Sequence, residues 1–373
     1  MIKYEDIVDY YKINLVYKKI CMATKHKKKL VKFELSKFSN FIHIYKLLEN
    51  KTYKHTKYNI FLIKYPKYRI IMSENLFDKI INHVVSLYLL FPIIEPRLID
   101  MNVATRVGRG LDHGVYLVKN YLQKLQKKTN DIYVLKCDIS KYFYNIDHDI
   151  LLKKLKLIIW DLDIIKIIEN IITSSSEDYV NKEIERLVQK EIELIKRSNR
   201  NFKDKIELIT KLENIPRYKK GKGLPIGNMT SQILAIFYLN SLDHFIKEKL
   251  QIKYYVRYMD DFILFHENPN YLKYCLDEIK KELSTLKLTL NKKTEISKVG
   301  NGFIFLGYRF LVKNKKVYML PSKNMKKKIR KRYKKEGNII LERYNGYLKR
   351  CKCSQFVYSL KCNKKPKEKN ISL

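Results

Sequence analysis

Two aspartates stand side by side at Asp260 and Asp261, inside a stretch, 254–265, that is otherwise rich in apolar, aromatic and β-branched residues. In a straight strand neighbouring side chains point to opposite faces, so adjacent carboxylates converge only where the backbone reverses. The pattern predicts a β-hairpin with the acids at its turn. Asp also favours turns because its side chain hydrogen-bonds nearby backbone, and a solvated turn is the plainer reading of the pair. The flanks argue otherwise: they are apolar enough to be buried, so a double negative charge bordering a core calls for a cation. An oxygen-rich acid pair suits Mg2+. A third acid, Asp138, closes the apolar run 131–138, and the end of a buried strand is where open α/β sheets carry functional groups. Asp147 or Asp149 reads instead as the cap of a helix with apolar spacing from Ile150 onward.

The elements that must position these acids follow from periodicity. With 373 residues, 46% of them hydrophobic, the chain can bury one large core or two to three subdomains. Residues 1–50 show apolar residues at mixed helical spacing with a basic run at 25–32. Residues 58–72 turn β-like, with Pro66 and Lys67 at a hairpin turn, so that two short strands present Lys64, Lys67 and Arg69. A helix is expected over 78–91, ended by Pro92 and Pro96. The segment Arg106-Val-Gly108-Arg109-Gly110 makes a flexible cationic loop whose backbone can approach phosphate. Residues 183–196 and 202–212 carry apolar positions at helical spacing, a two-helix insertion that either docks a partner or RNA or stands as a solvated excursion. Gly227, with small and polar neighbours through Gln232, opens an apolar helix at 233–242 and fits a floor for a base pair. Residues 323–335 form a dense basic helix.

The formal charge is +39, which argues for a polyanionic partner, even after discounting the lysine excess that an A+T-rich coding sequence brings. Nucleic acid is favoured over an anionic membrane. The six cysteines lack a paired CxxC, so neither a zinc site nor a disulfide framework is expected. The start of the sequence shows no signal pattern, and a cytoplasmic location follows as the expectation. The most hydrophobic stretch, 80–94, is expected to be too short to span a bilayer and to form a buried helix.

In their order and spacing these motifs resemble those of reverse transcriptases, over roughly residues 58–360. Tyr258-Met-Asp260-Asp261 is similar to the Tyr-X-Asp-Asp box, and the stretch at Asp138 to the first catalytic motif. The 223–232 segment resembles the glycine floor, and Phe303-Ile-Phe-Leu306-Gly307 the Phe-Leu-Gly turn. The resemblance implies an α+β right-hand polymerase. Its parts would be an N-terminal helical segment (1–57), fingers (58–135), a palm of antiparallel sheet backed by helices (136–320, with the insertion at about 173–220), and a small basic helical thumb (321–373). It implies two Mg2+ ions, replaceable by Mn2+, on Asp138, Asp260, Asp261 and the carbonyl of Ile139. Lys293, hard to separate from Lys292, would protonate the leaving pyrophosphate. Arg69 would grip the triphosphate, Phe143 would crowd the 2′-hydroxyl, and Ile226, Gly227 and Gln232 would face the nucleotide. Arg106 and Arg109 would border the template. Phe305, Leu306 and Gly307 would grip the primer, and Lys327, Lys328 and Arg330 would hold the duplex from the thumb.

Most of the family has glutamine and proline where this chain has Ile226 and Gln232, a departure similar to reverse transcriptases of diversity-generating retroelements. The expected activity is RNA-templated DNA synthesis, error-prone in such an element. The alternative is an antiphage-defence or retron-like enzyme copying a dedicated non-coding RNA. Expected partners are an RNA template, a DNA or RNA primer, dNTPs, and an accessory protein or structured RNA, with no membrane. A non-catalytic nucleic-acid-binding protein would explain the charge but has no need of Asp138 and Asp260 beside apolar strands.

Overall fold

Helices and antiparallel sheets make up the chain, which is α+β. The computed structural model describes residues 2–24 and 28–362; Lys25, His26 and Lys27 of the basic run and residues 363–373 of the expected thumb lie outside the described residues. The chain divides into two compact units, each assembled from three stretches of sequence.

The first unit comprises Met1–Arg106, Ile139–Phe245 and Ile279–Asn291. In it β1 (Asn59–Ile63) pairs antiparallel with β2 (Arg69–Ser73), Ile60 opposite Met72 and Leu62 opposite Ile70. Alternation buries Ile60, Ile70 and Met72 and leaves Arg69 exposed. The helix Leu76–Val85 starts where the Asn75 side chain accepts the Asp78 N–H. It does not end at the prolines. A π-turn at Ser86–Leu90 carries the helical path into Phe91–Ile94 and a 3-10 turn at Glu95–Arg97. The wider turn lets Phe91 N–H reach the Ser86 carbonyl, and Pro92 and Pro96 fall in the first positions of the turns that follow, where no amide hydrogen is required. The continuous path Leu76–Arg97, 22 residues, is therefore long and apolar enough to cross a membrane, contrary to the expectation from sequence. Its most apolar window is 61% buried within the protein, as in a core helix. The insertion is two helices, Asp178–Lys196 and Phe202–Glu213, whose apolar stripes pack against the β1–β2 hairpin in one cluster.

The second unit comprises Val107–Asp138, Ile246–Glu278 and Lys292–Leu373. Its main sheet is built from β3 (Tyr133–Asp138), β4 (Tyr254–Tyr258), β5 (Asp261–His266) and β6 (Glu295–Lys298), in the order β4-β5-β3-β6. The helix Gly110–Gln126 packs against β4. A second sheet follows, β7 (Phe303–Phe305), β8 (Tyr308–Lys313) and β9 (Lys316–Pro321), paired in that order. The basic helix Lys323–Glu336, capped by Ser322 at the Met325 N–H, gathers a small core of its own from Ile329, Tyr333, Ile340, Leu348, Phe356 and Leu360.

Candidate active site

Three carboxylates meet at one end of the main sheet. Tyr258 pairs with Asp261, so Met259 and Asp260 form a two-residue hairpin loop. Met259 has φ +58° while Asp260 stays at negative φ, the signature of a II′-type turn. Asp261 opens β5 and lies directly opposite Asp138, the last residue of β3. Opposed residues share a face, so Asp138 and Asp261 project together with Tyr258, and Asp260 sits in the turn beside them. The turn is held from within: Arg257, fully buried in β4, donates from Nη1 to the Met259 carbonyl at 2.9 Å.

Burial pushes the Asp261 carboxyl up to about 7; the Lys136 ammonium opposes the shift, and the charges of Asp138 and Asp260 add to it. Oδ1 of Asp261 is buried with no hydrogen-bond partner. An acceptor in that position, beside two further carboxylates, fits an oxygen-ligated divalent cation. Among the described residues, no group of three or more His, Cys, Asp or Glu side chains is gathered so that it could already hold a metal ion. Because a carboxylate binds metal only when ionised, Mg2+ affinity is expected to rise with pH through the Asp261 pKa, by about tenfold between pH 6 and pH 8, and to level off above. The same raised pKa means that ionising Asp261 costs the metal-free fold stability as pH climbs from the unfolded value towards 7. Isothermal titration with Mg2+ across that range checks the first effect; a flat profile would mean that the cation does not compete with this proton.

Lys136 and Arg257 are the residues that the sequence reading missed. Lys136 precedes Asp138 by two, the strand period, so it shares the acid face. Arg257 is the one charge inside the run 254–258, and a charge in a buried strand signals a specific internal partner.

The residues assigned to the nucleotide lie in the first unit. Arg69 begins β2, exposed. The Met72 N–H in the same strand donates to the Ile226 carbonyl at 2.8 Å, which joins the hairpin to the glycine floor. Gly227 has φ +134°, and a Cβ there would lie 2.6 Å from the Met72 carbonyl oxygen, so only glycine permits this approach. Asn228, fully buried, donates from Nδ2 to Tyr58 Oη at 3.0 Å, and Thr230 donates to Asn82 Oδ1 at 2.9 Å. The helix that follows begins at Met229, a turn earlier than expected, and carries Gln232 half-buried in its first turn. Phe143 lies in the short helix Tyr142–Asn145, half-buried, its carbonyl accepting the Leu224 N–H at 2.7 Å. Ile139 is fixed by a bridge to Leu290. Asp147 rather than Asp149 is the helix cap: its side chain accepts the Ile150 N–H and the Lys287 ammonium, at 3.2 and 2.7 Å.

Other candidates are placed unequally. Arg106 differs from the expectation of a template contact. Its side chain is 6% exposed and donates to Glu95 at 2.9 Å and to the carbonyls of Ile99 and Asn102 at 2.6 and 2.9 Å. Those internal acceptors hold the guanidinium inside the loop. Arg109 precedes the helix Gly110–Gln126, with Nη1 3.2 Å from His113 Nε2. Lys292 and Lys293 are both exposed in the turn leading into β6, at the Asp138 end of β3 by the strand register. Phe305 is 1% exposed, so its ring belongs to the core and not to a primer surface. Leu306 and Gly307, both at positive φ, form the tip of the β7–β8 hairpin, where Tyr347 Oη donates to the Gly307 carbonyl at 2.8 Å. Lys327 and Arg330 are exposed on the basic helix, Arg330 lying over the Phe356 ring, while Lys328 is half-buried over Tyr344.

Comparison with known proteins returns the family that the motifs resemble. The family profile described as reverse transcriptase (RNA-dependent DNA polymerase) matches residues 54–310. No curated relative matches the chain. Among solved structures, apo telomerase from Candida tropicalis, truncated of its C-terminal domain, aligns at 14% identity with a TM-score of 0.46, over 76% of this chain and 60% of that one. Telomerase from Candida albicans in complex with a fragment of telomeric RNA aligns at 14% identity and 0.45, over 84% and 60%. The chain thus spans 60% of the length of each. With the profile covering more than half of its residues, from the β1–β2 hairpin through the acid pair and into β8, the chain belongs to the reverse transcriptase (RNA-dependent DNA polymerase) family.

Proposed function

We propose that this protein is an RNA-templated DNA polymerase whose chemistry is carried by Asp138, Asp260 and Asp261. The observation behind the reading is the direct opposition of Asp138 and Asp261 beside the Asp260 turn, with a buried acceptor of Asp261 unpartnered. Asp138, Asp260 and Asp261, with the Ile139 carbonyl next in the chain, would hold two Mg2+ ions, or Mn2+ in their place. Two such ions would supply neutralisation of the charge that develops on the attacking 3′-oxygen and on the leaving pyrophosphate. The chain's own contribution is positioning. Arg69 takes the triphosphate, Phe143 crowds the 2′ position of the sugar so that dNTPs are preferred, and Ile226 with Gly227 supports the new base pair. Lys292 or Lys293 supplies the proton to pyrophosphate, and Arg109, the Leu306–Gly307 tip and the exposed Lys327 and Arg330 contact template and primer. Hairpin, main sheet and basic helix then serve as fingers, palm and thumb. The net charge of +39 supports a nucleic-acid partner, either template alone or a structured non-coding RNA.

The finer assignment, to a mutagenic diversity-generating element, rests on Ile226 and Gln232. Isoleucine offers the base pair apolar contact where glutamine would offer a hydrogen bond, and one such bond contributes about 0.5–1.5 kcal/mol, up to about tenfold in discrimination. Primer extension on a mixed-sequence RNA, followed by deep sequencing of the cDNA, tests both levels. DNA synthesis with errors concentrated opposite template adenine is the expected result. A low error rate, flat across the four bases, favours the defence-type enzyme, and absence of synthesis overturns the polymerase itself.

A further inference from the structure

The insertion 173–220 is built onto the nucleotide side of the first unit, not hung from it. Ile184, Val188 and Ile192 of its first helix pack in one cluster with Ile60, Ile70 and Met72, the inner face of the hairpin that carries Arg69. A two-stranded hairpin alone is marginally stable in water, so this cover is what makes the inner face a core. Polar pins fix the contact. The Tyr58 N–H donates to Tyr179 Oη at 2.8 Å, and Lys64 at the end of β1 is bonded to the Glu191 carboxylate, whose side chain is 9% exposed. At its far end the insertion grips the floor. Asn181 and Tyr218 exchange hydrogen bonds of 2.7 and 3.0 Å, and Tyr218 Oη donates to the Leu224 carbonyl at 3.2 Å. The Tyr218 ring also occupies the space that a Cβ on Gly223 would need.

We propose that the insertion is a brace that sets the spacing between the Arg69 strand and the Ile226–Gly227 floor, and so determines how tightly an incoming nucleoside triphosphate is held. The proposal rests on the polymerase reading and adds to it a function for the insertion. A loosened brace leaves the hairpin correctly placed for only a fraction of the time, and apparent affinity falls by that fraction. Chemistry on a nucleotide already bound is unaffected.

The test uses the full chain with Ile192→Ala, which removes packing, and Glu191→Gln, which removes the buried charge while keeping the fold. In each, KM for dNTP is expected to rise about fivefold, with kcat and the affinity for primer–template unchanged, the pattern of lost ground-state binding. Ile192→Val should restore most of the loss. Amide hydrogen exchange across 59–73 should accelerate in the same variants. Faster exchange without a change in KM, or kcat falling while KM stays constant, overturns the brace, as does unchanged exchange in both variants. If the wild-type chain incorporates no dNTP, the polymerase reading fails by itself, and the exchange arm still decides whether the insertion holds the hairpin.

Discussion

Replacing Asp260 and Asp261 together by asparagine is expected to lower Mg2+-dependent DNA synthesis by at least about a thousandfold while leaving RNA affinity within about twofold. Asparagine keeps the shape of each side chain and is as much at home in a turn, so the II′-type loop and the pairing of Tyr258 with residue 261 should persist. What is lost is two negative charges and an oxygen donor set. On the proposed reading RNA is held by the basic surface, the exposed Lys327 and Arg330 included, which these substitutions leave in place. The double variant should also be no less stable than the wild type at pH 8, because an amide at 261 removes a carboxylate that burial penalises when ionised. Primer extension, filter binding and a thermal melt of one preparation check all three. Synthesis retained by a verified double variant would take these acids out of the chemistry.

Gly227→Ala is expected to be nearly as damaging to activity, through the fold instead of through charge. At φ +134° a side chain is strained in any surroundings, and the Met72 carbonyl oxygen lies 2.6 Å from where the methyl carbon would sit. That contact cannot give way cheaply: it is with backbone, and the Met72 N–H is tied by its hydrogen bond to the carbonyl of Ile226, the residue before Gly227. A cost of about 3 kcal/mol or more is expected, from the forbidden backbone and the contact together. Gly221→Ala is the control, since its φ of +73° is strained for alanine but nothing lies within 4 Å of the added methyl. It should cost only about 1–2 kcal/mol. Denaturant melts of the two variants separate close approach from conformation; equal losses would mean that the floor relaxes around an added methyl.

Much of the acid site was legible because its signals are local. Adjacent acids converge only at a reversal, and the short apolar, β-branched and aromatic runs on either side of Asp260 and Asp261 leave little but a hairpin. The same local reasoning failed at Pro92 and Pro96, where a π-turn upstream absorbs what proline disrupts, a compensation that leaves no mark in residue types. For Arg106 the sequence shows a cation in a glycine-rich loop but not the direction of its side chain. Glu95 and two carbonyls, at distances set by the folded loop, decide that. Phe305 is similar: alternation along β7 turns it inward, and the expected primer contact falls to the Leu306–Gly307 tip. The insertion's helices were readable from their stripes, but a stripe does not name its partner, and the packing on Ile60, Ile70 and Met72 emerges only in three dimensions. Asn228 and Tyr58, joined across most of the first unit's sequence, gave no signal at all.

The order β4-β5-β3-β6 places the strand that carries Asp138 between two strands made much later by the ribosome. While the chain is being synthesised, β3 emerges with both of its hydrogen-bonding edges open, and it stays so until residues 261–298 have followed. Pairings over such separations form slowly, because a long loop must close before any contact rewards it. For that interval an apolar strand is available to any other strand, its own copy on a neighbouring polysome included. The sheet that carries the acid pair thus cannot close until its last strand, β6, has been made, long after its central strand, and that interval is where it is most exposed to misassembly.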